Sequence, residues 1–339
     1  MGKYILKRLG YMAIVTVILS FLMFVVYTMI PFDRARAEVE TLKNAYKNNP
    51  EGFQQRYEEL RKEMGLDENI IVRYFGWIGV APINGKYQGL LQGDFGYSYI
   101  HDRPAQEVLV EPMKNTIFIN LFATFLALGI TIPMGIFCAV HRGSKRDTAI
   151  QAGTIIGYSI PIFITAILCV WLFAIVLGIF PVSGMKTPGS NYTGMKKFFD
   201  QMKYMALPLI VMTLSSLGGM TRYVRASMTE ALSMDCIRTA RAKGLREKVV
   251  IYSHAWRNAL LPVVTLIVGW FLGIFGGSVM IERIFSLNGM GKLYFDALNE
   301  NDNQVILAVQ MFYIAISLFG NLLIDLIYGV VDPRVRVNK

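Results

Sequence analysis

Six stretches of roughly 20 apolar residues recur along this chain, about the length a helix needs to cross a ~30 Å hydrocarbon core at 1.5 Å per residue. They fall near 10–30, 115–140, 151–179, 205–221, 260–281 and 305–330. Length alone would allow two soluble domains, but only 17% of the 339 residues are charged, against about 25% in a soluble domain, and the surplus apolar residues gather in these runs. The pattern predicts an all-α, polytopic membrane protein. Pro208 and Gly218–Gly219 interrupt the fourth stretch and mark it as the least regular, as membrane helices allow when neighbours re-satisfy the backbone.

The net charge of +10 does not imply a nucleic-acid partner, because the basic residues gather beside the apolar runs, where the positive-inside bias puts them. With the N-terminus inside, the inner segments (the N-terminal stretch, 141–148, 221–258 and the tail) carry 3, 3, 8 and 3 Lys/Arg, 17 in all. The short outer loops 181–203 and 282–304 carry 4 and 2, six in all. Both termini are therefore expected on the cytoplasmic side. The first apolar run is longer than a signal h-region and no A-x-A-like site follows it, so it reads as an uncleaved first helix. Cys138, Cys169 and Cys236 imply no disulfide framework.

These boundaries divide the chain into a first membrane helix at 1–31, an exterior segment at 32–113, a five-helix core at 114–331 that includes a basic loop at 221–258, and a tail at 332–339. The exterior segment is polar and mixed in sign. From Asp33 to Lys62 its charges interleave with Leu42, Tyr46, Phe53, Tyr57 and Leu60, a helical pattern that Pro50–Gly52 breaks in two.

Catalytic chemistry finds no footing. His101, His141 and His254 lack metal-ligand spacing, and neither G-x-S-x-G nor H-E-x-x-H occurs. Gly289–Met290–Gly291–Lys292 lacks the Walker spacing, so the chain is not expected to bind ATP or a metal itself. An ion-coupled carrier would keep ionisable groups deep in the membrane. Here Asp325 is the one such group, about two turns from the inner boundary, and it reads as a packing or interfacial carboxylate rather than an ion-coupling one.

The basic loop is the most informative segment. Residues 221–258 hold eight Lys/Arg against three Asp/Glu. Met228, Ala231, Leu232, Cys236 and Ala240 recur at helical spacing, and Gly244 follows Arg241–Ala242–Lys243 in the pattern of a C′ glycine after a basic last turn. A short helix outside the membrane with an exposed apolar stripe is expected, and such a stripe asks for a protein partner.

At these residues the chain resembles the permease subunits of binding-protein-dependent ABC importers, in the oligopeptide/dipeptide/nickel branch. Glu230–Ala231–Leu232 followed by Arg238–Thr239–Ala240–Arg241–Ala242–Lys243–Gly244 looks like that branch's EAA loop, and Asn258–Ala259–Leu260–Leu261–Pro262 like its continuation. Gly93–Asp94–Phe95–Gly96–Tyr97–Ser98, Arg103–Pro104, Ser159–Ile160–Pro161, Phe180–Pro181–Val182–Ser183–Gly184, Glu282–Arg283–Ile284–Phe285–Ser286, Gly289–Met290–Gly291, Asn321 to Asp325 and Asp332–Pro333–Arg334 follow in matching order. The exterior segment looks longer than the family's usual form near 34–54 and 78–88, and Pro31–Phe32–Asp33 departs from the usual turn.

The resemblance implies six transmembrane helices of the type I ABC importer kind with a small helical extracytoplasmic insert, in a bacterial or archaeal cytoplasmic membrane. It implies a non-catalytic subunit that forms half of a translocation path for peptides or a related small solute. Its implied partners are a second, homologous permease, two ATPase subunits that bind the ATP and Mg, and an extracytoplasmic substrate-binding protein. Glu230, Ala231, Leu232, Asp235, Arg238, Arg241 and Gly244 would then couple to the ATPase. Ser159, Pro161 and Thr165 in the third span, with Thr265 and Ser278 in the fifth, are candidates to line the path. Asp94, Arg103, Glu282 and Phe285 are candidates for extracytoplasmic contact. A gradient-driven carrier and a membrane scaffold or sensor are the readings from other classes.

Overall fold

A computed structural model describes residues 2–29, 33–41, 49–82, 85 and 87–331. Five helices in it are long and apolar enough to cross a bilayer: Leu6–Thr28, Ala105–Val140, Gly194–Ser233, Glu247–Gly273 and Asn303–Leu326. A sixth crossing results if Lys145–Ser159 and Ile162–Val176, bent by 98° at Ile160–Pro161, act as one. Proline explains the bend, because Pro161 has no N–H to continue the helical ladder and pushes Ile160 into an extended conformation. The tail at 332–339, Phe32 and the inserted residues Leu42 and Tyr46 lie outside the described residues.

The helices are α1 (Gly2–Thr28), α2 (Arg34–Thr41), α3 (Pro50–Glu63), α4 (Ile70–Ile78), α5 (Ala105–Val140), α6 (Lys145–Ser159), α7 (Ile162–Cys169, continued by a π-helical turn to Val176), α8 (Gly194–Ser233), α9 (Asp235–Ala242), α10 (Glu247–Val249), α11 (Trp256–Gly273), α12 (Val279–Ile284), α13 (Met290–Glu300) and α14 (Asn303–Val331). A π-helical stretch, Val250–Ala255, joins α10 to α11. A two-residue antiparallel ladder pairs β1 (Tyr97–Ser98) with β2 (Arg103–Pro104). The chain forms two compact units, Met1–Glu111 with Leu293–Ala315, and Pro112–Lys292 with Ile316–Lys339.

In the first unit Pro50 opens α3 at its first turn, behind the Asn49 cap, so the expected break falls ahead of Pro50 and Gly52 is helical. Ala35 and Val39 of α2 bury against Leu60 of α3, with Phe53 and Tyr57 beside them. Arg61 ties this hairpin together through Asp33 (3.1 Å) and Asp67 (2.6 Å). Asn69 caps α4 and Gly79, at φ 88°, ends it. Tyr74 of α4 docks on α1 by donating to the Val17 carbonyl (2.9 Å), meeting Ser20 Oγ (2.8 Å) and packing edge-on to Phe21.

The second unit is built around α8, which runs unbroken for 40 residues with Pro208 inside it. The sequence suggests interruption at Gly218–Gly219, but Gly218 instead lets α6 approach. A Cβ there would lie 2.6 Å from the Thr154 carbonyl oxygen, whereas one at Gly219 meets nothing within 4 Å. Small residues serve this purpose wherever membrane helices pack closely. The fifth span also differs from expectation. Its helix begins near Glu247 and ends at Gly273, so Ser278 lies beyond it, at the N-cap position of α12.

Candidate functional site

The basic loop folds as a helix–turn–helix that its own chain covers. α8 ends at Ser233, Met234 takes an extended conformation (ψ 148°), and α9 starts at Asp235. α9 ends in a Schellman motif: the N–H of Gly244 donates to the Arg241 carbonyl (2.9 Å) and that of Leu245 to the Ala240 carbonyl (3.4 Å). Gly244 has φ 73°, the left-handed conformation expected of a C′ glycine. Arg241 reaches across this turn to Glu247, with Nη2 at 2.6 Å and Nε at 3.2 Å.

The apolar stripe points the other way from the expectation. Met228, Ala231 and Ala240, together with Ile237, are buried in one cluster with Val250, Ala255, Ala259 and Val263. The reason is local: the turn after Gly244 brings the following helix back over α9's apolar side. Of the stripe only Cys236 is exposed, and Leu232 is half-buried. What faces outward is a charged rim, Glu230, Asp235, Arg238 and Arg241, with Met234, Leu245 and Val249 each 38–40% exposed beside it. Asp235 and Arg238 pair on this surface at 3.3 Å.

A buried ion pair braces the same region. Asp147, 2% exposed, accepts from Arg225 Nε (2.8 Å) and Nη2 (2.6 Å) and from the Gly143 N–H (3.0 Å), fixing the start of α6 to α8. Sequence reading did not find the pair, although Ser144-x-x-Asp147 carries a capping signature and Ser144 caps α6.

Glu282 and Phe285, expected on an exterior contact surface, are 5% and 1% exposed. Phe285 sits in the cluster of Ile119, Leu207, Leu209 and Ile281. The Glu282 carboxylate accepts from the N–H groups of Ser278 (3.2 Å) and Lys292 (2.7 Å) and from Thr116 Oγ1 (3.2 Å). Burial pushes this carboxyl above the usual range, against the pull of those donors. Gly289 makes the room: a Cβ there would stand 2.4 Å from Glu282 Cδ. Asn115 and Asn120 of α5 also donate to carbonyls of this segment, those of Asn288, Ile274 and Gly276. Glu282 is therefore the knot of the segment joining α11 to α13.

The candidate path residues are not gathered by hydrogen bonds. Ser159 and Pro161 are exposed at the α6–α7 bend and Thr165 is half-buried one turn on. Thr265 donates to its own helix at the Pro262 carbonyl (2.9 Å). In the first unit Arg103 is exposed, and Asp94 accepts the Gly96 N–H at 2.8 Å.

Ser98, His101 and Asp302 meet in the first unit, a set that would suggest hydrolysis in another geometry. Here the Ser98 hydroxyl donates directly to the Asp302 carboxylate, and Ser98 is fully buried. His101 Nδ1 lies 3.1 Å from Ser98 Oγ, and Asp302 also accepts the Val305 N–H (3.3 Å) at the start of α14. Asp302 Oδ2 also lies 3.7 Å from His101 Nδ1, on the same ring nitrogen that faces Ser98. The carboxylate thus accepts from the hydroxyl directly, and the imidazole does not stand between the two as a base; the cluster ties a loop to a helix cap. Among the described residues no group of three His, Cys, Asp or Glu side chains has metal-binding geometry.

Comparison with known proteins agrees with this architecture along its length. Residues 131–337 match the family described as binding-protein-dependent transport system inner membrane component, and residues 1–120 match that family's N-terminal region. The oligopeptide transport system permease protein AppB of Bacillus subtilis is 35% identical over 82% of this chain and 84% of its own. The dipeptide transport system permease protein DppB of Escherichia coli K12 is 34% identical over the full length of both chains. Among solved structures, an inward-facing form of the MetNI methionine ABC transporter superposes with a TM-score of 0.51, covering 67% of this chain and 97% of that one at 17% identity. The chain belongs to the inner-membrane components of binding-protein-dependent transport systems, the permease subunits of ABC importers.

Proposed function

We propose that this chain is one of two different permease subunits of a peptide importer, supplying half of the translocation path. ATP and Mg would bind to two separate ATPase subunits, and an exterior binding protein would deliver the cargo. The chain itself performs no chemistry. Its N- and C-termini lie in the cytoplasm, as 17 inner Lys/Arg against six in the two short outer loops favour, long loops such as 32–113 counting little in this rule, and residues 32–113 form an extracytoplasmic subdomain.

The observation that carries the reading is the construction of α9. Eight residues long, it is too short to be stable alone, yet it is held by buried Ile237 and Ala240, the Schellman turn and the Arg241–Glu247 clamp. Its buried side shares one packed cluster with α8 and α11, so a push on its charged rim is transmitted to both, because close-packed interiors compress little. Closure of the ATPase dimer would then move α9, the end of α8 and the start of α11 as one body. The energy available is the difference in ATPase affinity between the two arrangements of the path.

Co-purification from native membranes in mild detergent tests this proposal. Recovery of a second six-span chain together with Walker-containing ATPases is the expected result. Recovery of the chain alone, with uptake that survives ATP depletion while a proton gradient is kept, would replace it with a gradient-driven carrier and return attention to Asp325.

A further inference from the structure

The first unit carries a half-open cavity of about 260 Å³ that the transport reading leaves without a role. Its wall is drawn from α1, α4, residues 88–99 and the first turns of α14. A volume near the lower edge of the ~300–1,000 Å³ typical of small-molecule sites suits an amino acid or a very short peptide.

Two charged side chains of opposite sign line it. Arg73 is half-buried, and among the described residues its guanidinium forms no ion pair. Burial, with the like charge of Arg61, depresses its proton affinity, the mark of a cation short of counter-charge. Asp94 uses one carboxylate oxygen on the Gly96 N–H and, among the described residues, has no cationic partner.

Phe24, Tyr27, Trp77, Tyr97 and Tyr99 give the wall its aromatic share, and three polar atoms of lining residues are unpartnered. Trp77 is buried with its indole Nε1 unpartnered, and the side-chain oxygens of Asn303 and Gln304 likewise lack donors. Buried polar groups are seldom left this way.

Charge selects the ligand class. A bare anion would satisfy Arg73 and be repelled by Asp94, and a metal cation would do the reverse. An apolar molecule would leave both charges dehydrated and unpaired. A compact zwitterion satisfies both, and its ammonium also gains from the aromatic faces. We propose that this cavity binds a small zwitterion, an amino acid or dipeptide, with its carboxylate on Arg73, its ammonium on Asp94 and Trp77 as the floor. The phosphoethanolamine head of a lipid shares this chemistry, so the two sources are separated experimentally.

The test uses the full-length chain in nanodiscs free of phosphatidylethanolamine, without ATP or partners, so its outcome is independent of the transport reading. Alanyl-alanine is titrated by calorimetry beside its N-acetyl and C-terminal amide forms. A ligand of this size is expected to bind with Kd on the order of 1 mM, and each blocked form about 10-fold more weakly, the effect of one lost charge-assisted contact.

Arg73→Gln should abolish the preference for the free carboxylate while keeping that for the free amine, and Asp94→Asn the converse. Whichever preference survives certifies that the variant is folded. Absence of binding by the unmodified chain, or preferences that neither substitution alters, would overturn the proposal. Tighter binding of glycerophosphoethanolamine than of alanyl-alanine would assign the cavity to lipid and overturn it equally.

Discussion

Gly244→Val isolates the mechanical role proposed for α9. Gly244 holds φ 73° in the turn that ends the helix, and an L-residue in that region costs about 1–2 kcal/mol, with a β-branched side chain at the upper end. A Cβ at this position meets nothing within 4 Å, so the penalty is one of backbone conformation and not of crowding. At about 2 kcal/mol, either the strain is retained or the hydrogen bonds of Gly244 and Leu245 to α9 are surrendered, and local opening of the helix end becomes about 30-fold more populated. The assay is the ratio of substrate imported to ATP hydrolysed by the complete complex in proteoliposomes, with thermal midpoint as a control for folding. The ratio should fall most for Val, less for Ala and least for Asn, which tolerates the left-handed region. A Val variant that couples normally would refute the reasoning. An Asn variant as defective as Val would refute it differently, by showing that any side chain at this surface obstructs the partner.

Three further substitutions probe the second unit. Arg225→Met leaves Asp147 buried without its partner and should destabilise the purified chain by an amount near the low end of ~3–5 kcal/mol, since Arg225 keeps 26% of its side chain exposed. The double variant with Asp147→Asn should melt higher than Arg225→Met alone, and equal midpoints would count against the brace. Glu282→Ala orphans the donors of Ser278, Lys292 and Thr116 and should cost about 3 kcal/mol at roughly 1 kcal/mol each. Because burial raises the Glu282 carboxyl, its contribution is full below the ordinary carboxylate value and is lost as pH rises through the folded one. The midpoint of the wild type relative to Glu282→Gln should therefore fall as pH rises through that window, and a pH-independent difference would contradict the burial argument. Gly218→Ala should lower the midpoint, by about 1–3 kcal/mol for an overpacked contact, whereas Gly219→Ala should be near neutral. Equal responses would mean that α6 and α8 do not approach as described.

What was legible in the sequence was local. Apolar run length located the crossing helices, and a C′ glycine after a basic turn located the end of α9, because both signals lie within the element they describe. What escaped was decided by partners distant in sequence. Nothing near Glu282 announces that Thr116 will donate to it, so an acidic residue in a polar segment reads as surface. Asp147 and Arg225 lie 78 residues apart, and neither is conspicuous without the other. Gly218 was misread for a related reason: a glycine in an apolar run signals a weak helix when seen alone and a close contact once Thr154 is opposite it. The apolar stripe of the basic loop was detected at Met228, Ala231 and Ala240, with Cys236 exposed and Ile237 buried in its place, but a stripe does not state what covers it. Here the covering element is the chain's own 250–263 segment.

That last point changes what the partner-facing surface of α9 must be. Had the stripe faced outward, docking would have joined two apolar surfaces, the composition of obligate interfaces. With Ile237 and Ala240 turned inward, the rim offers Glu230, Asp235, Arg238 and Arg241 around three partly exposed apolar side chains. Complementary charges across such a surface attract and orient the partner and are screened by salt. On the proposed reading, α9's stability as a lever then derives from its own chain, and its partner need only hold it in register. Raising ionic strength should thus release the ATPase from purified complex while leaving the thermal midpoint of this chain unchanged. If the two were lost together as salt is raised, α9 would depend on its partner for folding, and the separation argued here between lever and grip would fail.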